Sequence, residues 1–282
     1  MRDSITHPYH VLLSHRKDMD YKSNRKMKRY NYPDAKQVLV SGDIHGDFKL
    51  LVYNLCIRYG CTDTLLIVAG DCGFGFEKPG YYEIVYNTVA DRLRKANNWV
   101  AFIRGNHDDP SFFSGEKINH TRWRTVPDYS VITAASHSLL CIGGATSIDR
   151  SFRMKQRTRY HAKPVSCYWP DEAPVFKPEE IESIPAEIRT DTVITHTAPS
   201  FCELTSHSGM ESWALEDPSL IDDVAAERAT MDQIYQHIKS HGHPLQKWFY
   251  GHFHQSWNGL IDGIQFSMLD IMEFKEIPPP IL

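Results

Sequence analysis

An α/β fold follows from three observations on the sequence. Short apolar runs alternate with amphipathic stretches between residues 37 and 103. Each of those runs ends at or beside a glycine, namely Gly42, Gly70 and Gly105. The part beyond residue 130 is richer in short β-type runs and holds one long helical pattern. Strand and helix alternating at this spacing build βαβ units with parallel strands. The chain has 282 residues, 41% hydrophobic and 23% charged, which is ordinary globular usage. It is long enough to bury a sizeable core, so disorder is excluded for its bulk.

Taken in order, residues 1–35 read as a basic N-terminal extension. Arg16, Lys17, Lys22, Arg25, Lys26, Lys28 and Arg29 crowd together there with little apolar periodicity. That pattern suits a disordered leader, or an arm that touches nucleic acid. Met27 opens a segment running straight into the first strand, so a start at Met27 is a further reading. Residues 36–282 read as one domain. Gln37 to Ser41 is a short buried strand, and Phe48, Leu51, Leu55 and Ile57 then fall mostly at helical spacing. Residues 64–69 form the second strand and 99–103 the third. Between them, residues 80–97 place Tyr82, Val85, Val89 and Leu93 on one helical face. Later strands are expected at 130–133, 138–142, 192–196, 247–251, 259–262 and 265–269, with a helix at 220–239. Residues 146–190 read as an insertion, irregular and rich in proline and arginine.

The formal net charge is −4, which excludes a whole-surface attraction to nucleic acid or anionic lipid. No stretch of about 18 apolar residues exists, and residues 1–30 hold no apolar run of signal type. The six cysteines are scattered without a CxxC pair, as expected of reduced thiols in a cytoplasmic protein. Fifteen histidines are many for this length, and histidine is the commonest metal ligand.

Chemistry concentrates where the apolar runs stop. The first ends in Gly42-Asp43-Ile44-His45-Gly46, the second in Gly70-Asp71-Cys72, the third in Gly105-Asn106-His107-Asp108. Two later strands end in Thr195-His196-Thr197 and Gly251-His252-Phe253-His254. Ligands in open α/β sheets sit beyond the carboxyl ends of strands, so five loops converge on one place. Asp, Asn and His together offer mixed oxygen and nitrogen donors, suited to Mn, Fe, Zn, Ni or Co rather than to a calcium cage.

The ordered set GDxH, GD, GNH[DE], a single His and GHxH, spanning residues 42–254, resembles the calcineurin-like metallophosphoesterases. The resemblance implies two mixed β-sheets packed as a sandwich and flanked by helices. It implies two divalent metal ions, manganese first among them. Asp43, His45, Asp71 and His254 would hold one, and Asp71, Asn106, His196 and His252 the other. A bridging carboxylate answers the repulsion of two cations about 3.5–4 Å apart, and the pair activates a bridging hydroxide for in-line attack on phosphorus. His107 resembles the family histidine that protonates the leaving group or stabilises its charge. Glu77, Asp108 or Asp109 would orient it. The implied substrate is a phosphorylated small molecule or nucleotide. GHxH favours a phosphodiester or nucleotide type, and Phe74 and Gly75 stand where the protein-phosphatase branch has a carboxylate and an arginine. A phosphomonoesterase or protein phosphatase is the alternative, as is a non-catalytic scaffold on the same fold.

Arg104 matches the RGNH form of the third motif and suits a phosphate clamp, with a surface salt bridge as its other reading. Arg150 and Arg153, with Lys155, Arg157, Arg159, Tyr160, His161, Tyr168 and Trp169, mix cations and aromatics close to the motifs. Residues 146–170 are therefore expected to cap the site and select substrate.

Overall fold

The computed structural model describes residues 27–156, 167–202 and 210–279. The expected leader up to residue 26, and Arg157, Arg159, Tyr160 and His161 of the expected cap, lie outside the described residues.

Two mixed sheets face each other. The first carries the early βαβαβ unit. Its strands β2 (Gln37–Ser41), β3 (Thr64–Ala69) and β4 (Trp99–Ile103) run parallel, with Val38 level with Leu65 and Ile67 level with Ala101. Two short strands extend it beyond β4, namely β6 (Trp123–Thr125) and β5 (Asn119–His120). A last strand, β13 (Phe274–Glu276), closes the other edge antiparallel to β2. The second sheet holds β7 (Ser130–Ala134), β8 (His137–Ile142), β9 (Thr192–Thr195), β10 (Lys247–Tyr250), β11 (Trp257–Ile261) and β12 (Ile264–Met268). Its order is β1-β7-β8-β9-β10-β12-β11, with β8, β9, β10 and β12 parallel.

The first member of that order was not expected. Within the segment read as an extension, Arg29–Tyr32 is an edge strand, β1, parallel to β7. Its tyrosines explain this. Tyr32 is buried, its ring 6.1 Å from that of Trp99, and the Arg124 guanidinium lies over the rings of Tyr30 and Tyr32.

Three apolar layers follow from the two-residue period of the strands. Val38, Val40, Leu65, Ile67, Ala101 and Ile103 of the first sheet meet Ile132, Leu139, Ile194 and Phe249 of the second. On the outer face of the first sheet, Leu66, Val68 and Phe102 pack on α1 (Phe48–Tyr53) and α2 (Tyr81–Lys95). On the outer face of the second, Leu140, Val193 and Trp248 pack on Met231, Ile234 and Ile238 of the long helix Leu220–Ser240. Each such side chain taken fully out of water contributes about 1.5–3 kcal/mol. Helix α1 continues as a π-helical turn over Asn54–Arg58. The wider turn leaves Leu55 buried and Ile57 half exposed, against the helical spacing read from the sequence.

The long segment after β8 carries α3 (Arg150–Gln156) and α4 (Pro178–Glu182). Helix α5 (Met210–Glu216) precedes the long helix, α6. No described helix is long and apolar enough to cross a membrane.

Candidate metal centre

Parallel strands send their carboxyl ends the same way, so β2, β3, β4, β9 and β10 deliver their following loops to one edge of the sandwich. Asp43, His45, Asp71 and His254 bring donor atoms within 4.8 Å of one another, and so do Asp71, His196 and His252. Asp71 belongs to both groups. Asn106 completes the second, its Oδ1 3.0 Å from His196 Nε2.

The backbone is bent hard to achieve this. His45, Asp71, His252 and His254 all have positive φ, between 44° and 71°. Such residues outside glycine are uncommon and cost energy that the surroundings must hold in place. Two glycines make the close approach feasible. A Cβ on Gly105 would collide with the Asp71 carboxylate, and one on Gly70 with the His196 ring.

Asp108 holds two of the loops together. Its buried carboxylate accepts from the amides of Cys72 (3.0 Å), Gly73 (2.8 Å), Phe74 (2.9 Å) and Gly105 (2.8 Å). Burial and the neighbouring Asp71 push it up to about 7 in spite of those amides. It is thereby spent on backbone and does not orient His107. Asp109 caps the following turn at the Ser111 amide. The carboxylates that act on the His107 imidazole are Asp71 and Asp149, while burial holds it below its ordinary value. The His107 amide donates to Asp71 Oδ1 at 2.8 Å, and its ring sits between Phe76 and His45.

The polar balance of the site shows what kind of group it suits. His196 is wholly buried, and its Nδ1 donates to the Ala69 carbonyl at 2.7 Å. That fixes Nε2 as the nitrogen with the lone pair. Nε2 then faces Asp71 Oδ1 at 3.1 Å and Asn106 Oδ1 at 3.0 Å, so three lone pairs converge with no hydrogen between them. Left alone, the cluster takes a proton. Burial opposes charge on His196, but the Asp71 and Asp43 carboxylates outweigh it and raise the ring to about 10. The same imidazoles hold Asp71 ionised against its burial. His252 is driven the other way by burial and by His196, and stays neutral, as a ligand must. Asp43 Oδ1 accepts from the His252 amide at 3.0 Å. Its Oδ2 is sealed from solvent and accepts no hydrogen bond, with His254 Nε2 3.0 Å away but out of line. His254 Nε2 also lies 3.1 Å from His45 Nε2. The mixture of carboxylate, amide and imidazole in these two donor sets fits divalent transition metals.

A buried network supports Asn106. Its Nδ2 donates to Ser147 Oγ at 3.0 Å. Ser147 in turn donates to Glu172 from its amide (2.6 Å) and its hydroxyl (2.7 Å). Arg153 donates to Ser147 Oγ and, at 3.2 Å, to the Asn106 carbonyl. Burial pushes Glu172 up to about 7. Sequence reasoning placed Ser147 only within the expected cap 146–170 and did not find Glu172, because nothing in their local pattern marks either as support for Asn106.

The three arginines marked as phosphate-binding are all engaged within the protein. Arg104 bonds Asp128 (2.9 Å) and the carbonyls of Asp171, Glu172 and Ala173. Arg150 pairs with Asp217 and Asp223, and Arg153 serves the network just described. Guanidinium groups with carboxylates and carbonyls in reach are held there rather than turned to a ligand. Phe74, at the position that departs from the protein-phosphatase pattern, is fully buried among Phe48, Tyr82, Phe102 and Phe113.

Comparison with known proteins agrees with this geometry. The chain belongs to the calcineurin-like phosphoesterases, whose family model matches residues 36–256. It is accordingly a hydrolase of the metallophosphoesterase family. Among solved structures it is similar to the phosphopantetheinyl hydrolase of Mycobacterium tuberculosis, at 14% identity and a TM-score of 0.40. That match covers 88% of this chain and 98% of the other. No curated protein matches it in sequence.

Proposed function

We propose that the protein is a dinuclear metal-dependent phosphoesterase that cleaves a P–O bond, with a phosphodiester or nucleotide-type substrate favoured and a phosphomonoester the second reading. The convergence of His196 Nε2, Asp71 Oδ1 and Asn106 Oδ1 without a shared hydrogen carries this reading. Asp43, His45, Asp71 and His254 would hold one divalent ion, and Asp71, Asn106, His196 and His252 the other, manganese being our first choice. When bound, the ions supply an activated water nucleophile and neutralise the phosphate oxygens. The chain's own residues do the rest. Asp71, which belongs to both donor sets, would bring one negative charge to the two ions. Ala69 fixes the His196 tautomer, and Ser147 fixes the Asn106 amide. His107, half buried beside the site, hands a proton or a hydrogen bond to the leaving-group oxygen. Six cysteines without a disulfide accord with the cytoplasm as its compartment.

The test is hydrolysis of bis(p-nitrophenyl) phosphate and p-nitrophenyl phosphate by metal-stripped protein, with Mn, Ni, Co, Zn, Fe and Mg restored in turn. Metal-dependent turnover that disappears in Asp71→Asn and falls sharply in His107→Ala is expected. The diester-to-monoester ratio chooses between the two substrate readings. Two bound ions per chain with no turnover of either ester would overturn the proposal and favour a scaffold.

A further inference from the structure

Beside the metal-type ligands lies a cleft of about 690 Å³, lined at one end by Asp71, Asn106, His107, His252 and His254. That volume lies within the range of small-molecule sites and extends well past the place where a phosphoryl group would react. Its remaining wall is dominated by Ile148, Phe201, Met210, Trp213, Val224 and Phe253. Phe201 and Ile148 are more than a third exposed, and apolar side chains gathered at one exposed place mark a binding surface more often than a random surface does.

Several polar side chains of the same wall are engaged within the protein. Ser200 bonds Asp232 through both its amide (2.7 Å) and its hydroxyl (2.6 Å). Glu227 accepts from the Thr146 amide. Arg228, the one Lys or Arg among the described lining residues, is 7% exposed. Its Nη2 donates to the carbonyls of Pro199 and Cys202, while its Nε and Nη1 meet no hydrogen-bond partner among the described residues. Asp149, also in the lining, lies 3.9 Å from the Arg153 guanidinium. With Arg104, Arg150 and Arg153 engaged elsewhere, what the described cleft offers most of beyond the metal-type ligands is apolar contact area.

We propose that this cleft is the leaving-group subsite, shaped for an uncharged body rich in aromatic or aliphatic surface. The inference rests on the phosphoesterase reading above. Phe201 and Trp213 are its specificity-determining residues. They would grip a flat or chain-like group while the ester phosphorus lies at the metal ligands, and discrimination would come from area removed from water.

The experiment compares phosphate esters of alcohols with similar acidity, so that chemistry does not mask binding. These are 2-naphthylmethyl, ethyl and 2-phosphoethyl phosphate, each as the monoester and as its methyl diester, with metal-loaded protein. A kcat/KM at least tenfold higher for the naphthylmethyl ester than for the ethyl ester is expected. Trp213→Ala and Phe201→Ala should lower the naphthylmethyl-to-ethyl ratio of kcat/KM several-fold, which a general loss of folding would not do. Equal values for the naphthylmethyl and ethyl esters, or preference for the phosphate-bearing one, would overturn the subsite. Binding of naphthylmethyl phosphonate and ethyl phosphonate, measured by calorimetry, reads the subsite without turnover. If the p-nitrophenyl esters are not hydrolysed but the naphthylmethyl phosphonate binds at least tenfold tighter, the catalytic reading fails and the apolar subsite stands. If neither phosphonate is preferred, the subsite is overturned.

Discussion

Strand β9 carries an imidazole–carboxylate pair at each end, and the two pairs differ in one respect. At its start, His137 Nδ1 lies 3.0 Å from Asp191 Oδ1. That carboxylate also accepts from the Ser138 amide (2.8 Å) and the Thr192 hydroxyl (2.6 Å). At its far end, His196 Nε2 lies 3.1 Å from Asp71 Oδ1, with Asn106 Oδ1 beside them. Both pairs are buried. In the first, donors match acceptors, and the pair ties β8 to β9. In the second, three lone pairs meet with no hydrogen of their own, so the place is filled by an added proton or suits a divalent cation. A buried His–Asp contact therefore says little by itself, and the count of lone pairs around it separates structure from chemistry.

Substitution tests this contrast most strongly at Asp71. Asp71→Asn should lower kcat/KM by about 10³-fold or more. Steady-state kinetics with metal-loaded protein would show it, and an unchanged kcat/KM would erase the distinction between the two ends. Metal itself should act on one end alone. Mn at 100 times its dissociation constant should stabilise the protein by about 2.7 kcal/mol per site, read as a thermal shift, and chelator should reverse it.

At the other end the effects invert. Asp191→Asn should cost about 1–3 kcal/mol with kcat/KM unchanged. Burial works against the Asp191 charge, but His137, Thr192 and the Ser138 amide together hold the carboxyl below its ordinary value. The folded pKa is therefore lower than the unfolded one. Its contribution is present above about pH 4 and is lost as pH falls through the lower folded value. The acid limb of stability should be shallower in Asp191→Asn, and an unchanged limb would remove this pair from the account. The smallest effect belongs to Ser147→Ala, which frees the Asn106 amide. About a tenfold loss in metal affinity is expected, measured by competition with a chromophoric chelator.

The sequence was most legible where a strong period met a sharp stop. The runs at 37–41, 64–69 and 99–103 coincide with β2, β3 and β4, because five or six mostly apolar residues closed by a glycine turn leave little choice. The seven side chains expected as metal ligands were read from the same feature, each lying just past the end of a strand, and all but His196 in a motif that contains a glycine. Elements without room for a period were not visible. β5 and β6 have two and three residues, and α3, α4 and α5 have seven or fewer. β1 was hidden in a basic stretch, where charge spoke louder than the alternation of its two tyrosines. Ser147, Glu172 and Asp108 act through contacts across 25 to 41 and 3 to 36 residues of chain, and local patterning holds no trace of most of them. The arginines misled for a related reason, since their type suits phosphate but their neighbours, Asp128, Asp217 and Asp223, hold two of them first.

The Asp108 carboxylate has a consequence for how this chain can change over generations. Because it grips the amides of residues 72–74 and of Gly105 together, the loops that present Asp71 and Asn106 are inherited as a single piece. A change tolerated in one loop alone would be judged by the posture of the other. Pairs of substitutions across 71–74 and 105–108 should therefore depart from additivity. Drift at this edge of the molecule should proceed by compensating pairs.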